Sequence, residues 1–450
     1  MKKKCKSIDI TYAQTVRPWV EDCIRRHKKR RDFRKLILRH GATEEDYWKA
    51  VDEHNFSLIE PAVDQIAQDA VRQIKARKLE LEPVRIREQE DKTTGKVRMI
   101  GCECAMQQVF DYIAVHSCQE IWDARITMQQ CSSIPERGQI YGMKLIRKYV
   151  LADERAMRYA KKHKKKYVRK RAYHAKLDVR KCFPNARKDV FMKLFRHDCG
   201  NEDILWLWQT LMDTHEVNGY HGFMIGALVS QWAAQYMLSF LYHKAMTIRH
   251  RDKKAVGRMV MFMDDMLLMG SNRKALLFAV RELMAHAKTL GFEIKENFMI
   301  HRLRDVPIDM MGFTIYENGK VELRGRNYIK SRRLMLRYER NGSLTVEQCK
   351  RLVSFKGFYT YSDYSGNYKI FKYAQSRLSK GGTKDGESGV FGTAGADPVP
   401  ATGGRIGGSV APEGHPTGAR NGRGAGMGHL GGRRSDDGDA LDAGRGDGAV

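Results

Sequence analysis

The residues best placed to do chemistry lie in the stretch GRMVMFMDDMLLMG, where Asp264 and Asp265 interrupt two short apolar runs, residues 259–263 and 266–269. Continuous apolar runs of that length read as buried strands rather than helix faces. The two aspartates are therefore expected at the turn of a tight hairpin. Adjacent carboxylates carried into an apolar hairpin repel each other and are costly to desolvate unless a cation lies against them. A divalent metal is the natural partner, and an ordinary Asp-Asp turn facing water is the plain alternative. A third carboxylate, Asp178, ends the strand-like run YHAKLD. Side chains alternate along a strand, so Tyr173, Ala175 and Leu177 are expected to point one way and His174, Lys176 and Asp178 the other. A strand carboxylate beside a hairpin bearing two more suits in-line phosphoryl transfer assisted by two metal ions. Magnesium fits such a site because it takes hard oxygen ligands and keeps positions for water and substrate phosphates.

The elements that must position these groups follow from pattern. After Asp178 come Phe183, a Pro184-Asn185 turn and a helix near residues 203–212. The loop VNGYHGFMIG then leads into a long apolar helix opening near Gly226. Beyond the hairpin, Ser271 is the expected N-cap of a helix whose apolar positions include Leu276, Val280, Leu283 and Leu290, with Gly291 at its stop. Two strand-like runs, FEIKENFMI and IDMMGFTIYE, precede a turn at Asn318-Gly319. Ahead of Asp178, VRIREQEDKTTGKVRMI reads as a hairpin about Thr94-Gly95 that carries Arg85, Arg87, Lys96 and Arg98. Residues 105–122 are helical, the polar loop QQCSSIPERGQ makes a rigid turn with Arg137 at its basic tip, and a further helix runs to about Ala160.

Charge narrows the partner. The 450 residues carry a net charge of +28, with clusters RRHKKRRDFRK at residues 25–35 and KKHKKKYVRKR at 161–171. A surplus of that size is the footprint of a protein that tracks a phosphate backbone, although either cluster alone is equally a solvated face. The expectation is that the hairpin and the clusters hold triphosphate and template backbone. The nine cysteines lack the paired spacing of a zinc site and read as free thiols in a reducing compartment. No apolar signal segment opens the chain, and the apolar stretch 223–241 holds Ser230, Gln231, Gln235 and Ser239, which marks a buried helix rather than a bilayer span.

In order and at fitting separations, Asp178-x-x-x-x-Phe183, Ile225-Gly226-x-x-x-Ser230-Gln231 and Phe262-Met263-Asp264-Asp265 resemble the palm motifs of reverse transcriptases. The resemblance covers roughly residues 80–375. It implies an α+β right-hand polymerase fold, with fingers, a palm of antiparallel sheet backed by helices, and a helical thumb. It implies catalytic, metal-binding roles for Asp178, Asp264 and Asp265, with two magnesium ions or manganese in their place. It also implies nucleotide contacts at Arg98, Phe183, Ile225, Gly226 and Gln231, with Phe183 as the steric gate against a ribose 2′-hydroxyl. A primer grip at Met311, Gly312 and Phe313, and backbone contacts from Lys96 and Arg137, complete the set. The lysine usual after Gly291-Phe292 is displaced; Phe298 stands at its place and Lys295 is nearest, so the general acid stays unassigned.

Most reverse transcriptases have Gln-Gly-x-x-x-Ser-Pro in the helix-opening loop. The variant with Ile225 and Gln231 is similar to that of diversity-generating retroelement enzymes, which implies error-prone copying, at adenine above all. A template RNA, a cDNA or primer, deoxynucleoside triphosphates and a small basic accessory protein are the implied partners, in the cytoplasm of a bacterial host or phage-infected cell. A retron-type or phage-defence reverse transcriptase shares the same metal site. A non-catalytic RNA-binding protein with a polymerase fold is the reading from another class, and it typically loses one of the three carboxylates. The expected organisation is a basic helical segment at 1–80, fingers and palm at 81–325 and thumb at 326–380. A glycine-rich tail at 381–450, with 7 basic and 9 acidic residues, has too few large apolar residues to bury a core.

Overall fold

The computed structural model describes residues 2–91, 95–217, 219–363 and 369–379, leaving aside the side chains of Asp91 and Lys96. The expected hairpin tip at Thr94, the 364–368 part of the thumb sequence and the tail 381–450 lie outside the described residues. Four helices lead, α1 (Ala13–His27), α2 (Arg31–Arg39), α3 (Glu44–Asp52) and α4 (Glu60–Lys75), followed by the hairpin β1 (Arg85–Asp91) and β2 (Lys96–Cys102). Helices α5 (Ala105–His116), α6 (Gln119–Arg125) and α7 (Gln139–Lys162) precede β3 (Tyr173–Asp178). Then come α8 (Lys188–Asp198), α9 (Glu202–Asp213), α10 (Leu228–Thr247) and four strands: β4 (Arg249–His250), β5 (Lys253–Lys254), β6 (Arg258–Phe262) and β7 (Asp265–Gly270). Helix α11 (Arg273–Thr289), strands β8 (Ile300–Arg302), β9 (Ile308–Met310), β10 (Phe313–Ile315) and β11 (Val321–Leu323), and helices α12 (Gly325–Asn341), α13 (Val346–Thr360) and α14 (Lys369–Ser379) close the described chain.

The sheet that organises the molecule has strand order β6-β7-β3-β8, with every pair antiparallel. Its central strands are apolar on both faces, and Met259, Val260, Met261 and residues 266–269 are all buried. One face joins a large core that runs from Cys5 to Ile294 and includes the leading helices. The other face contributes Val260, Leu267 and Met269 to a second cluster shared with α7 and the three-stranded sheet β11-β10-β9. A third cluster ties α12, α13 and α14 together around Leu352, Tyr359 and Phe371. Each fully buried Leu or Met of these strands contributes about 1.5–3 kcal/mol.

Four expectations need correction. Asp265 is not in the turn but is the first residue of β7, paired with Phe262; the turn is Met263-Asp264. The run FEIKENFMI is not a strand: it contributes a single bridge, Val179 to Ile294, and then β8 at Ile300. The N-cap of α11 is Asn272, not Ser271, because the longer Asn272 side chain reaches the Ala275 amide at 3.0 Å. His174, expected on the polar face of β3, is buried and bonds the Val306 carbonyl at 3.0 Å. All nine cysteines are free, and no described helix is long and apolar enough to cross a membrane.

Candidate active site

The antiparallel ladder between β3 and β7 puts Asp178 directly opposite Asp265. Residues opposite each other share a face of the sheet, so register alone brings the two carboxylates together. Asp264 follows from the turn. A two-residue hairpin whose first central residue has positive φ favours glycine there, yet Met263 occupies it at φ 53° while Asp264 does not have positive φ. Holding a non-glycine residue in that region costs about 1–3 kcal/mol.

The surroundings hold it in place. Met263 packs against the large core, and its sulfur accepts from Gln235 Nε2 at 3.6 Å. The same amide donates to the Ser132 carbonyl at 2.6 Å, and Gln130 Nε2 donates to Gln235 Oε1 at 2.7 Å. The loop 129–131 lies along β6, with Gln130 bridged in parallel to Met261. The polar loop QQCSS thus serves as a brace for the aspartate turn. In the sequence Gln235 stood out only as a polar residue of a buried helix and Gln130 only as part of a polar loop; that the two amides meet is a long-range contact that local pattern does not show.

Electrostatics at this edge are unbalanced. Burial raises the Asp264 carboxyl above the usual carboxylate range, and the neighbouring Asp265 and Asp178 charges push it the same way. Two ammonium groups answer: Lys295 Nζ lies 2.6 Å from Asp178 Oδ1 and Lys176 Nζ 3.2 Å from Asp265 Oδ2. Lys295 is placed by its own backbone, whose N–H donates to the Asp178 carbonyl at 2.9 Å. Both pairs are about one-third exposed, and exposed pairs of this kind contribute only about 0–1 kcal/mol. They yield readily to a stronger cation. The donors, three hard carboxylates, suit magnesium. Among the described residues no three His, Cys, Asp or Glu side chains converge on one ion position; Lys295 and Lys176 stand on the cation side of two of the three.

The residues expected at the nucleotide are stitched into one unit. Ile225 bridges Ile100 of β2 in parallel, and Gly101 N–H donates to its carbonyl at 2.8 Å. Arg98 is exposed on the same face of β2 as Ile100, two residues farther out, or about 7 Å. The Phe183 carbonyl accepts from Phe223 N–H at 2.8 Å, and Gly222 lies so near the Phe183 and Pro184 carbonyls that a Cβ has no room. Phe183 itself is half-buried against the large core, and Gln231 is half-buried in the first turn of α10. Asp111, fully buried, accepts from the Leu228 and Val229 amides at 3.0 and 3.1 Å and so caps that helix. Gly226 has φ +111°, and a Cβ there would stand 2.7 Å from the Gly101 carbonyl oxygen. A Gly226→Ala chain is therefore expected to open the junction between β2 and this loop. It should raise KM for nucleotide more than tenfold with a smaller change in kcat; steady-state kinetics with unchanged KM would refute this.

The remaining sites fall elsewhere. Met311 and Gly312 form the turn between β9 and β10, both at positive φ (55° and 86°), as a type I′ turn requires. Met311 and Phe313 are buried, the first against Gly142 and the second 5.2 Å from the Phe358 ring. Their side chains therefore fix the hairpin between α7 and α13 on the face of the sheet that carries Val260, Leu267 and Met269, the face to which strand alternation also assigns Asp178 and Asp265. Arg137 Nη1 holds the Thr127 carbonyl at 2.8 Å. The Lys96 side chain lies outside the description. The cluster at 161–171 leads into β3 at its Tyr173 end, the end of that strand away from Asp178.

Residues 88–315 match the family profile described as reverse transcriptase (RNA-dependent DNA polymerase). No curated protein sequence matches. Among solved structures, telomerase from Candida albicans in complex with a TWJ fragment of telomeric RNA aligns at 11% identity, covering 68% of this chain and 59% of that one, with a TM-score of 0.40. The apo telomerase from Candida Tropicalis truncated from its C-terminal domain aligns at 14% identity over 72% and 84%, with a TM-score of 0.39. The Candida Tropicalis telomerase with a TWJ fragment aligns at 10% over 84% and 78%, with a TM-score of 0.42. The chain thus spans less than two thirds of the first of these relatives.

Proposed function

The chain belongs to the reverse transcriptase (RNA-dependent DNA polymerase) family, matched over 88–315, and from that premise we propose that it copies a template RNA into cDNA with low fidelity, as part of a diversity-generating retroelement. The observation that carries the catalytic reading is the pairing of Asp178 with Asp265 across β3 and β7, with Asp264 at the strained turn beside them. Divalent ions held by these three carboxylates would supply Lewis-acid activation of the primer 3′-hydroxyl and charge neutralisation at the leaving pyrophosphate. Residues 81–325 serve as fingers and palm and 326–380 as thumb. Template RNA, primer, deoxynucleoside triphosphates and a small basic accessory protein are the partners, in the cytoplasm.

The chain's own residues do the rest. Arg98 receives the triphosphate from the fingers side, and Phe183 excludes a ribose 2′-hydroxyl. Ile225 presents an apolar side chain where a polar contact to the nucleotide would discriminate among bases. Its position on the β2 junction supports that role. The test is primer extension on an RNA template with magnesium and four deoxynucleotides, followed by sequencing of the product. Errors concentrated opposite adenine support the diversifying role, and faithful copying shifts the reading to a retron or defence enzyme. Ile225→Gln is expected to lower misincorporation opposite adenine about tenfold, the worth of one gained hydrogen bond; an unaltered error spectrum would show that Ile225 does not set fidelity.

A further inference from the structure

The Asp178–Asp265 pair and the Tyr173–Gly270 pair mark opposite ends of the β3–β7 ladder, about 17 Å apart at 3.4 Å per residue. Two basic segments meet at the Gly270 end. One is residues 161–171, which lead into β3; a Cβ on Gly257 would stand 3.2 Å from the Lys170 carbonyl. The other is the β4–β5 hairpin, which leads into β6; a Cβ on Gly270 would stand 2.8 Å from the Ala255 carbonyl. Arg302 of β8, opposite Tyr173, joins them.

The first segment is not a loose, solvated charge run. Along residues 166–171 exposure alternates: Lys166, Val168 and Lys170 are exposed, whereas Tyr167 and Arg169 are half-buried and Arg171 is buried. The inward side chains are anchored. Asp153 of α7 accepts from Tyr167 Oη at 2.7 Å, from Arg171 N at 2.7 Å and from Arg171 Nη2 at 2.6 Å. Arg169 pairs with Glu154 at 2.9 Å and with Glu317 at 3.1 Å. Asp153 and Glu154 are thus taken up by the inward row, and the backbone that carries the outward Lys166, Val168 and Lys170 is held in place. Fixing backbone and side chains costs about 1–2 kcal/mol per residue, a cost that a purely solubilising run avoids.

The second segment holds like charges together. Arg249 stands directly opposite Lys254 in the β4–β5 register, and like charges so placed repel. The turn between them, Arg251-Asp252, is at positive φ for both residues, so a tight two-residue connection fixes the pair. Opposed cations on the α11 side of this end of the sheet, where His250 packs on Phe278, and an anchored basic row on its α7 side together match a polyanion whose charges repeat along a rigid backbone.

We propose that this end of the palm sheet is a second nucleic-acid surface, which binds duplex RNA of the template molecule outside the stretch being copied. Only the choice of RNA rests on the proposed function; the surface itself stands on the geometry. Binding by shape and phosphate contact, without base readout, is the mode by which proteins hold duplex RNA.

The test uses the full chain and a labelled RNA stem-loop of about 16 base pairs, with binding measured across a salt series. One variant carries Lys164→Gln, Lys166→Gln, Lys170→Gln and Lys254→Gln. A charge-matched control carries Arg39→Gln, Lys49→Gln, Lys75→Gln and Lys78→Gln, all exposed in the leading helices or beside them and outside both basic clusters. The palm-end variant is expected to bind the stem-loop at least about tenfold more weakly, with the log–log salt slope reduced by about 3. The control should change less than about threefold on the same scale. Saturation with a short primer–template should leave stem-loop binding by the unaltered chain intact, and extension of that primer–template should be equal in all three proteins. Equal weakening in both variants, or displacement of the stem-loop by primer–template, would overturn the surface. Equal affinity for a DNA stem-loop of the same sequence would overturn its assignment to RNA. Because the readout is binding, loss of polymerisation for any other reason leaves the test intact.

Discussion

Replacing Asp264 and Asp265 together by asparagine is expected to lower kcat for primer extension about 10⁴-fold, equivalent to about 5.5 kcal/mol of lost transition-state stabilisation. The same change is expected to raise the melting temperature. The folded chain holds the Asp264 carboxyl above its ordinary range because burial and two neighbouring carboxylates disfavour its charge, so at neutral pH that charge opposes folding. Neutral amides remove the repulsion while keeping the volume. The expected pairing of lost activity with gained stability is the mark of groups kept for chemistry rather than for the fold. Retained extension would refute the catalytic assignment. Lost extension with a melting temperature several degrees lower would show that the carboxylates were holding the hairpin together instead. RNA binding in a gel-shift assay should be unchanged, since the cationic surfaces are untouched.

What the sequence made legible here was whatever depends on local pattern. Apolar runs on both sides of the aspartates specify buried strands, and alternation in YHAKLD places Asp178 at a strand end, so the β3–β7 pairing follows once the two are taken as neighbours. The turn residue Gly226 and the helix stop at Gly291 are likewise local. Long-range partners were not legible. Lys295 reaches Asp178 because Arg180 N–H and Lys295 N–H both bond across to the neighbouring segment, the latter at 2.9 Å, a pairing of chain stretches more than a hundred residues apart. FEIKENFMI has strand-like composition, yet between the Val179–Ile294 bridge and the Ala175–Ile300 pair its five residues 295–299 stand against only three of β3, 176–178, so the run leaves the ladder there. The cluster at 161–171 was recognisable as basic, but which end of the sheet it would occupy depended on the direction of β3 relative to the hairpin. Its inward anchoring by Asp153 and Glu154 depended on α7 lying beneath it.

A second large effect concerns the polar core under the helix-opening loop. Glu103 Oε1 lies 2.9 Å from His215 Nε2, and both side chains are buried, with Gln107 Nε2 3.3 Å from the same oxygen. Ser230, at the start of α10, lies 3.5 Å from His215 Nδ1, so this pair underpins the loop that carries Ile225 and Gly226. Burial pushes the Glu103 carboxyl up to about 7 from 4.5 and the His215 imidazole down to about 4 from 6.5. Taken alone, Glu103 contributes stability that is present below 4.5 and lost as pH rises through 7. His215 alone contributes stability that is present above 6.5 and lost as pH falls through 4. Together they cancel: between about 4.5 and 6.5 the unfolded chain carries one proton, on histidine, and the folded chain also carries one, on Glu103. Equal proton counts mean no pH slope from this pair. Glu103→Gln removes the folded-state proton, so the variant should lose about 1.4 kcal/mol of stability per pH unit relative to the unaltered chain as pH falls from 6.5 towards 4.5. His215→Asn should do the reverse, losing stability relative to the unaltered chain as pH rises across the same window. Urea unfolding at several pH values measures both, and parallel pH profiles for all three proteins would refute the shared proton. If the slopes are opposite in sign, the pair holds one buried proton beneath the loop that carries Ile225 and Gly226, and the acid and the imidazole must be kept or lost together.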